Sequence, residues 1–178
     1  ATLLNRNGDF DRATDLLAAE VGRGPLTKEI QFALGMALLR IPRLPEQVET
    51  SKDGLVQNAG EIAALLQDSK YDEAFPKFQT LLRQYPATPF LHYANGTALA
   101  VFSQYDEAES QLRQELRISP TSGVTYARLA SVALKMRRPA DALPSAQRAV
   151  QLDPDSAEAH YLLGRSYLEL GQQEKALQ

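Results

Sequence analysis

The fold of this chain follows from the segment AEAHYLLGRSYLELGQQEKAL, which extends from Ala157 to Leu177. The pentapeptide HYLLG inside this segment begins at His160, and a similar pentapeptide, HYANG, begins at His92. The sequence numbers of these two histidines, the only ones in the chain, differ by 68, which is twice 34. If an interval of 34 recurs elsewhere, the two pentapeptides belong to an internal repeat.

Two further signals have the same spacing. The tetrapeptide YDEA begins at Tyr71 and again at Tyr105, an interval of 34. Pro86, Pro120 and Pro154 also follow one another at intervals of 34. A fixed period of this length indicates a helical repeat, in which each unit buries its apolar face only by stacking on its neighbours.

Small residues recur at two positions of the 34-residue frame. When units are counted from residues 55, 89, 123 and 157, position 20 is alanine in all four: Ala74, Ala108, Ala142 and Ala176. Position 8 is small in three of the four units: the residues are Ile62, Gly96, Ala130 and Gly164. Two antiparallel helices approach closely only where side chains are small, so positions 8 and 20 predict a helix crossing.

Glycine and proline mark the ends of helices. Gly8 and Gly171 lie at position 15, where the first helix of a unit can end in a left-handed residue. Pro76 and Pro144 fall about one turn into the second helix of their units. Since proline cannot donate a backbone hydrogen bond, we expect a late helix start or a mild kink at both.

This pattern resembles the tetratricopeptide repeat (TPR), a family of 34-residue helix–turn–helix units with small residues at positions 8 and 20. The resemblance implies an all-α fold, a right-handed superhelical solenoid of antiparallel helix pairs. The units are a partial repeat at 1–27, a degenerate short unit at 28–54, complete repeats at 55–88, 89–122 and 123–156, and a partial repeat at 157–178. The chain departs from the family's usual residues at, among others, Asn95 in position 7 and Glu115 in position 27.

Composition excludes several classes of function. The net charge of −3 argues against nucleic acid as the main partner, because phosphate binding needs a basic surface. No apolar run approaches the ~20 residues needed to span a membrane. The chain has no cysteine and therefore no disulfide or thiolate nucleophile. We expect a soluble protein, either cytoplasmic or, if Ala1 follows signal cleavage, periplasmic or secreted.

The two histidines are the first candidates for catalysis or metal binding. Both lie at position 4, two repeats apart, which places them roughly 20 Å from each other if each helix takes ~8–10 Å. They therefore cannot share a metal, and we interpret His92 and His160 as packing wedges between helices. Because the chain also lacks a nucleophile–base constellation and a phosphate-binding loop, we predict no catalytic, metal-binding or cofactor-binding residue.

The resemblance implies a binding groove, because TPR proteins generally bind peptides or helices along a concave surface lined by the first helix of each unit. The matching positions hold Val56, Ala59, Ala63, Leu66, Phe90, Tyr93, Thr97, Val101, Val124, Ala127, Ser131, Lys135, Tyr161 and Arg165. This lining is largely apolar with aromatic anchors and becomes charged toward its C-terminal end. Such a groove suits an amphipathic helix or an apolar extended segment. Alternatively, these residues pack against neighbouring helices.

We do not expect this chain to bind an acidic chaperone tail, a well-defined ligand of some TPR proteins. The chaperone-binding members of the family clamp a carboxylate tail with Lys, Asn and Arg residues at fixed positions. Four of those positions hold Ala59, Ala63, Ala94 and Val124 here, and only Arg128 matches. The clamp is therefore missing from the sequence.

Three functions remain open at this point. The leading one is a non-catalytic scaffold that binds a protein or peptide partner. The second is a regulatory or targeting segment of a larger multidomain protein, since both ends of the sequence look cut. The third is a self-assembly module that associates through exposed terminal helices.

Overall fold

The computed structural model describes residues 1–21 and 24–176. Gly22, Arg23, Leu177 and Gln178, which belong to the units predicted at 1–27 and 157–178, lie outside the described residues. The described residues form α-helices and two short 3-10 turns without a β-strand, which confirms the all-α fold. They divide into two compact units, unit 1 (residues 1–94) and unit 2 (residues 95–178).

The helices follow the 34-residue period. Unit 1 contains α1 (Thr2–Arg6), α2 (Phe10–Val21), α3 (Lys28–Leu38), α4 (Asp53–Gln67) and α5 (Tyr71–Gln84). Helix α6 (Leu91–Val101) begins in unit 1 and ends in unit 2. Unit 2 continues with α7 (Tyr105–Ile118), α8 (Gly123–Lys135), α9 (Pro139–Leu152), α10 (Ala157–Glu169) and α11 (Gln173–Ala176). We call the first helix of a repeat helix A (α4, α6, α8, α10) and the second helix B (α5, α7, α9).

The helices that precede position 15 end in the same kind of turn. The residue at position 15 has a positive φ in five of the described repeats: Gly8 (82°), Ser69 (58°), Ser103 (59°), Arg137 (59°) and Gly171 (73°). In the turn after α6, the Gln104 N–H donates to the Leu99 carbonyl oxygen at 3.1 Å, which satisfies a carbonyl left free at the helix end. The helix ends predicted at the two glycines are thus confirmed, and Ser or Arg adopts the same conformation elsewhere.

Two glycines bring α3 and α4 into backbone contact in unit 1. A Cβ atom on Gly35 would lie 1.9 Å from the Val56 carbonyl oxygen, and one on Gly60 would lie 1.8 Å from the Gln31 carbonyl oxygen. The Gln31 side-chain amide also donates to the Gln57 carbonyl oxygen at 2.9 Å. Any side chain larger than hydrogen at Gly35 or Gly60 would therefore force the two helices apart.

The short unit predicted at 28–54 has no second α-helix. Helix α3 is followed by two 3-10 turns, Pro45–Gln47 and Thr50–Lys52, and then directly by α4. Both prolines of this segment, Pro42 and Pro45, disfavour a continuous helix because each lacks a backbone N–H. With no helix B between them, α3 packs directly on the helix A of the next repeat.

Unit 2 contains the helix crossings that the small residues predict. A Cβ atom on Gly96 would lie 3.1 Å from the Ala108 carbonyl oxygen, and one on Gly164 would lie 3.5 Å from the Ala176 carbonyl oxygen. Position 8 of helix A therefore meets position 20 of helix B. The buried cluster around α8 and α9 consists mainly of alanine, with Leu134 and Leu162 as its largest members.

Proline does not delay the start of helix B. Helix α5 begins at Tyr71 and contains Pro76, and α9 begins at Pro139 and contains Pro144. The late helix start is therefore wrong, and the alternative, a mild kink at each proline, stays a prediction. Each proline lies in the second turn of its helix, where the loss of a single backbone hydrogen bond is tolerated because the rest of the helix packs on its partner.

A charged cluster links α7 to the start of α9 in unit 2. Glu109 accepts hydrogen bonds from Arg113 Nε at 2.9 Å and from the guanidinium of Arg138. Burial alone would raise the pKa of the Glu109 carboxyl, but the hydrogen bonds from Arg113 and Arg138 outweigh burial and hold this pKa below its usual value. The carboxylate therefore stabilises the folded state in its ionised form.

We expect Gly35→Ala and Gly60→Ala each to lower the free energy of unfolding by about 2 kcal/mol, because the added methyl group overlaps backbone atoms of the facing helix. Urea denaturation followed by circular dichroism measures the change. Gly54→Ala is the matched control: it lies in α4 with open space around it, so alanine should be neutral or stabilising by up to ~1 kcal/mol. If the three variants unfold at the same urea concentration, the helices are not in backbone contact.

We expect Glu109→Gln to lower the free energy of unfolding at pH 7 by about 1 kcal/mol, since both arginines lose an ion-pair partner. The pKa of Glu109 is depressed in the folded state, so its stabilisation is fully present above the unfolded pKa of ~4.3 and is lost as pH falls through the lower folded pKa. Thermal melts from pH 7 to pH 3 should therefore converge for the two proteins. Glu107→Gln, an exposed neighbour on α7, should match the wild type throughout, and a constant gap for Glu109→Gln would contradict the assignment.

Candidate protein-binding surface

Most of the groove residues predicted in α4 lie in the core of unit 1. Val56, Ala59 and Ala63 are buried, and Leu66 is half-buried. The glycine crossing presses α3 against this side of α4, and Ala63 belongs to a buried cluster with Leu17 of α2 and residues of α3. The side chains of Val56, Ala59 and Ala63 are therefore not available to a partner.

The two aromatic anchors of unit 1 already have partners within the chain. The Arg40 guanidinium lies 5.0 Å from the centre of the Phe10 ring and 5.6 Å from that of Tyr93, a double cation–π contact. Arg40 also forms an ion pair with Asp11 at 3.6 Å. The Phe90 ring meets Tyr93 edge-on at 6.1 Å. Tyr93 is half-buried, and a ligand on this side would contact the Arg40 side chain as well.

Phe90 has a strained backbone. Its φ is 66°, in the left-handed region that a bulky residue rarely adopts. The residue stands directly before α6, and its carbonyl oxygen accepts a hydrogen bond from the Ala94 N–H at 3.0 Å. Such strain costs on the order of 1–2 kcal/mol and persists only where surrounding contacts hold the residue in place.

The groove residues predicted in unit 2 are more accessible. Val101, Lys135, Tyr161 and Arg165 are exposed; Thr97, Val124 and Ser131 are half-buried; and Ala127 is buried. The Lys135 ammonium lies 5.9 Å from the centre of the Tyr105 ring, so the end of α8 lies beside the start of α7. Val101 and Lys135 both occupy position 13, at the C-terminal ends of α6 and α8.

The exposed large apolar residues of unit 2 lie on the helix-A side. Val101 is 68% exposed, Tyr161 63% and Leu168 55%, and Phe102 follows α6 directly. Within the described part of unit 2, the exposed large apolar residues include none from α7 or α9. Phe102 was not among the predicted site residues. An apolar surface confined to one set of helices marks a candidate interaction surface.

Arg165 is a preorganised cation on α10. Its Nε donates to Glu169 Oε1 at 2.9 Å, and this hydrogen bond, with a smaller contribution from Tyr161, raises the pKa of Arg165. The two partners lie one turn away on either side of Arg165. The two terminal guanidinium nitrogens of Arg165 still have N–H groups that can donate hydrogen bonds to a carboxylate.

Only one of the two histidines packs as predicted. His92 is buried in α6, as expected of a wedge between helices. His160 is exposed, and its Nε2 lies 2.9 Å from the Pro154 carbonyl oxygen. The wedge interpretation of His160 is therefore wrong, because no described helix covers that side of α10.

The described residues also bear on metal binding and membrane insertion. Residues 1–21 and 24–176 contain no group of three or more His, Cys, Asp or Glu side chains placed to hold a metal ion. None of the helices in the same ranges is long and apolar enough to cross a membrane.

Solved structures with the same fold include two of MamA. The MamA structure from Desulfovibrio magneticus RS-1 has a TM-score of 0.64 and 19% identity, over 95% of this chain and 90% of that one. A MamA double mutant has a TM-score of 0.65 and 18% identity, over 95% of this chain and 89% of that one. At such low identity the likeness concerns the fold alone.

Curated relatives are similar over shorter stretches. The TPR repeat-containing thioredoxin TDX of Arabidopsis thaliana is 38% identical over 73 residues, which are 41% of this chain and 19% of TDX. The Hsp70-Hsp90 organizing protein of Triticum aestivum is 30% identical over 78 residues, which are 44% of this chain and 13% of that protein. The matched stretch is thus less than a fifth of the length of either relative.

The match to a family model extends over most of the sequence. The model described as tetratricopeptide repeat matches residues 1–57, 61–123 and 128–178. The two gaps between these segments, 58–60 and 124–127, fall within α4 and α8, and the other helices are matched throughout. The chain therefore belongs to the tetratricopeptide repeat family.

Proposed function

We propose that this chain is a non-catalytic protein–protein interaction scaffold that binds a peptide or an amphipathic helix of a partner. Tetratricopeptide repeats are interaction scaffolds, and this supports the general class. We call the proposed binding surface the helix-A surface of unit 2. It consists of the accessible predicted residues of α6, α8 and α10: Thr97, Val101, Val124, Ser131, Lys135, Tyr161 and Arg165.

The observation that carries this proposal is the exposure of Val101 and Lys135, which occupy the same position in the helix A of two successive repeats. Val101 is 68% exposed at the end of α6 and offers an apolar contact, and Lys135 is exposed at the end of α8 and offers a charge. Lys135 forms no ion pair with the described residues. A partner segment with an apolar residue and a nearby acidic residue would satisfy both groups.

The buried members of the predicted groove have a different role in this proposal. Val56, Ala59, Ala63 and Ala127 support the helices from inside and do not touch the partner. In unit 1, Leu66, Phe90 and Tyr93 remain accessible in part, and Arg40 would be part of any ligand contact there.

The proposal does not extend to an acidic chaperone tail. One relative is named an Hsp70-Hsp90 organizing protein, but four of the five clamp positions of this chain hold small or apolar residues, and only Arg128 matches. Of these, Ala59, Ala63 and Ala94 are also buried. The residues present suit an apolar segment better than a polyanionic one.

A second proposal concerns the context of the chain. We also propose that these repeats are a regulatory or targeting segment of a larger multidomain protein. Two curated relatives support this interpretation, because the matched stretch is less than a fifth of the length of each. Both proposals use the same helix-A surface, so one experiment tests the surface in either case.

We expect the double variant Val101→Gln/Lys135→Gln to weaken peptide binding at least tenfold, which corresponds to about 1.4 kcal/mol, because an apolar contact and a charge contact are both lost. Peptides selected from a random displayed library on the intact chain serve as ligands, and fluorescence anisotropy gives Kd. The melting temperature should not change, since both side chains are exposed.

The matched control for this experiment is Leu16→Gln/Lys28→Gln, which removes an exposed apolar residue and an exposed lysine from unit 1. This control should bind the selected peptides as the wild type does. Equal affinity of the Val101→Gln/Lys135→Gln variant and the wild type would overturn the proposed surface.

A further inference from the structure

Arg40 is a largely buried cation in unit 1 whose side chain forms no hydrogen bond with the described residues. Only 14% of this side chain is exposed. Its guanidinium lies over the Phe10 and Tyr93 rings and 3.6 Å from Asp11, and it has no other charge or hydrogen-bond contact in the described part of the chain. A guanidinium has five N–H donors, which an aromatic ring satisfies less well than an oxygen does. The cost of burying Arg40 is therefore only partly recovered within the chain.

A carboxylate already lies close to this guanidinium without forming a hydrogen bond to it. The distance of 3.6 Å joins Arg40 Nη1 and Asp11 Oδ1, and it is longer than a hydrogen bond. The Asp11 side chain is 89% exposed, so water competes for it and the ion pair contributes little to stability. Asp11 can therefore move aside for a second carboxylate that binds the guanidinium at normal hydrogen-bond length.

The nitrogens of Arg40 are open to a ligand. The side-chain atoms of the described residues that are both sealed from solvent and without a hydrogen-bond partner include none of the Arg40 nitrogens. Since these nitrogens form no hydrogen bond either, solvent must reach them. The rest of the side chain is covered, so the opening suits one small group at the end of a side chain better than the broad face of a helix.

The backbone holds Arg40 in a fixed place at the end of α3. Its φ of 49° is left-handed, a conformation that glycine usually adopts at a helix end. The Arg40 N–H donates to the Ala37 carbonyl oxygen at 3.1 Å, and the next N–H donates to that of Met36 at 2.9 Å. Because these bonds hold the backbone and two rings hold the guanidinium, the side chain loses little further freedom when a ligand binds.

We propose that Arg40 is a binding site for an acidic side chain of a partner peptide, whose carboxylate displaces Asp11 and accepts hydrogen bonds from the guanidinium. None of the residues of this site belongs to the helix-A surface of unit 2, so the site goes beyond the proposed function. It rests on that function only in that the ligand is a peptide.

The residues around Arg40 define the kind of peptide that fits. Phe90 meets Tyr93 edge-on, and both rings are half-buried, so an apolar residue of the peptide can contact them while its neighbour reaches Arg40. Asp11 stays close after it is displaced, and its charge disfavours an anion with more than one negative charge. The site therefore suits a single glutamate or aspartate in an otherwise apolar segment.

Peptide selection on a chain that lacks the proposed surface of unit 2 tests this site. A displayed library with a fixed central glutamate between random residues is selected on the Val101→Gln/Lys135→Gln chain. The selected peptides are synthesised with amidated C-termini, and fluorescence anisotropy gives Kd. We expect binders whose affinity falls at least tenfold when the central glutamate is replaced by glutamine. If this chain yields no binder, or if the glutamine peptides bind equally well, the proposal is wrong; the scaffold function is judged separately by selection on the wild type.

The variant Arg40→Lys separates ligand binding from support of the fold. Lysine keeps the positive charge but lacks the planar fork of N–H donors. We expect at least tenfold weaker binding of the glutamate peptides and little change for their glutamine counterparts. A purely structural role of Arg40 would weaken both kinds of peptide by the same factor, and that result would overturn the assignment.

The variant Asp11→Asn tests the displacement without touching the core, because Asp11 is exposed. Removing the competing carboxylate should tighten binding of the glutamate peptides at least threefold. Asp72→Asn is the matched control, since Asp72 is also exposed and is likewise the second residue of its helix, α5. It should leave the affinity unchanged. Equal affinity of the Asp11→Asn and Asp72→Asn chains would show that Asp11 does not occupy the site.

Discussion

Close contact between helix backbones is the constraint on which both units depend. In unit 1, Gly35 and Gly60 let α3 and α4 meet with no side chain between them. In unit 2, Gly96 lies against the Ala108 carbonyl, and the buried cluster beyond it is made mostly of alanine. A core of such small residues has little room for large apolar side chains. Val101 and Tyr161 lie outside this core, and both belong to the surface to which the proposed function assigns a ligand.

The repeat was predictable because it depends on residues that recur. The 34-residue interval, the alanine at position 20 and the small residue at position 8 are all visible in the sequence, and they correspond to helix crossings in unit 2. The exception is Gly60, which stands at position 6, where the frame assigns no crossing. Its role follows from the missing helix B of the preceding unit, which brings α3 directly against α4. The short unit and its two prolines, Pro42 and Pro45, signal that a helix is missing, but they do not show which helix α3 then contacts.

Two local features also could not be predicted from the sequence: left-handed residues other than glycine, and the position of Arg40. Glycine signals a left-handed residue, so the turns at Gly8 and Gly171 were predictable. The same conformation at Ser69 and Ser103 was not, because the geometry of the repeat imposes it on residues that do not favour it. The sequence likewise does not indicate that Arg40 contacts two aromatic rings, because residues 10, 40 and 93 are far apart in the sequence and meet only in the folded chain.

At the candidate site, the position of a residue in the repeat does not by itself predict whether its side chain is exposed. The same groove positions are buried in α4 and α8 and exposed in α10, so burial depends on whether another helix lies on that side. This also explains why His92 packs and His160 does not. Asn95 and Glu115, the departures from the family pattern, are fully buried. The Asn95 amide lacks a hydrogen-bond partner among the described residues, which costs about 1–3 kcal/mol and reduces the stability of unit 2.

The central claim is that the A helices of unit 2 bind and the B helices support them. The most direct measurement is nuclear magnetic resonance of the isotope-labelled chain during titration with a library-selected peptide. We predict that the backbone amide shifts concentrate in α6, α8 and α10. Shifts concentrated in α7 and α9, with the A helices unchanged, would contradict the claim.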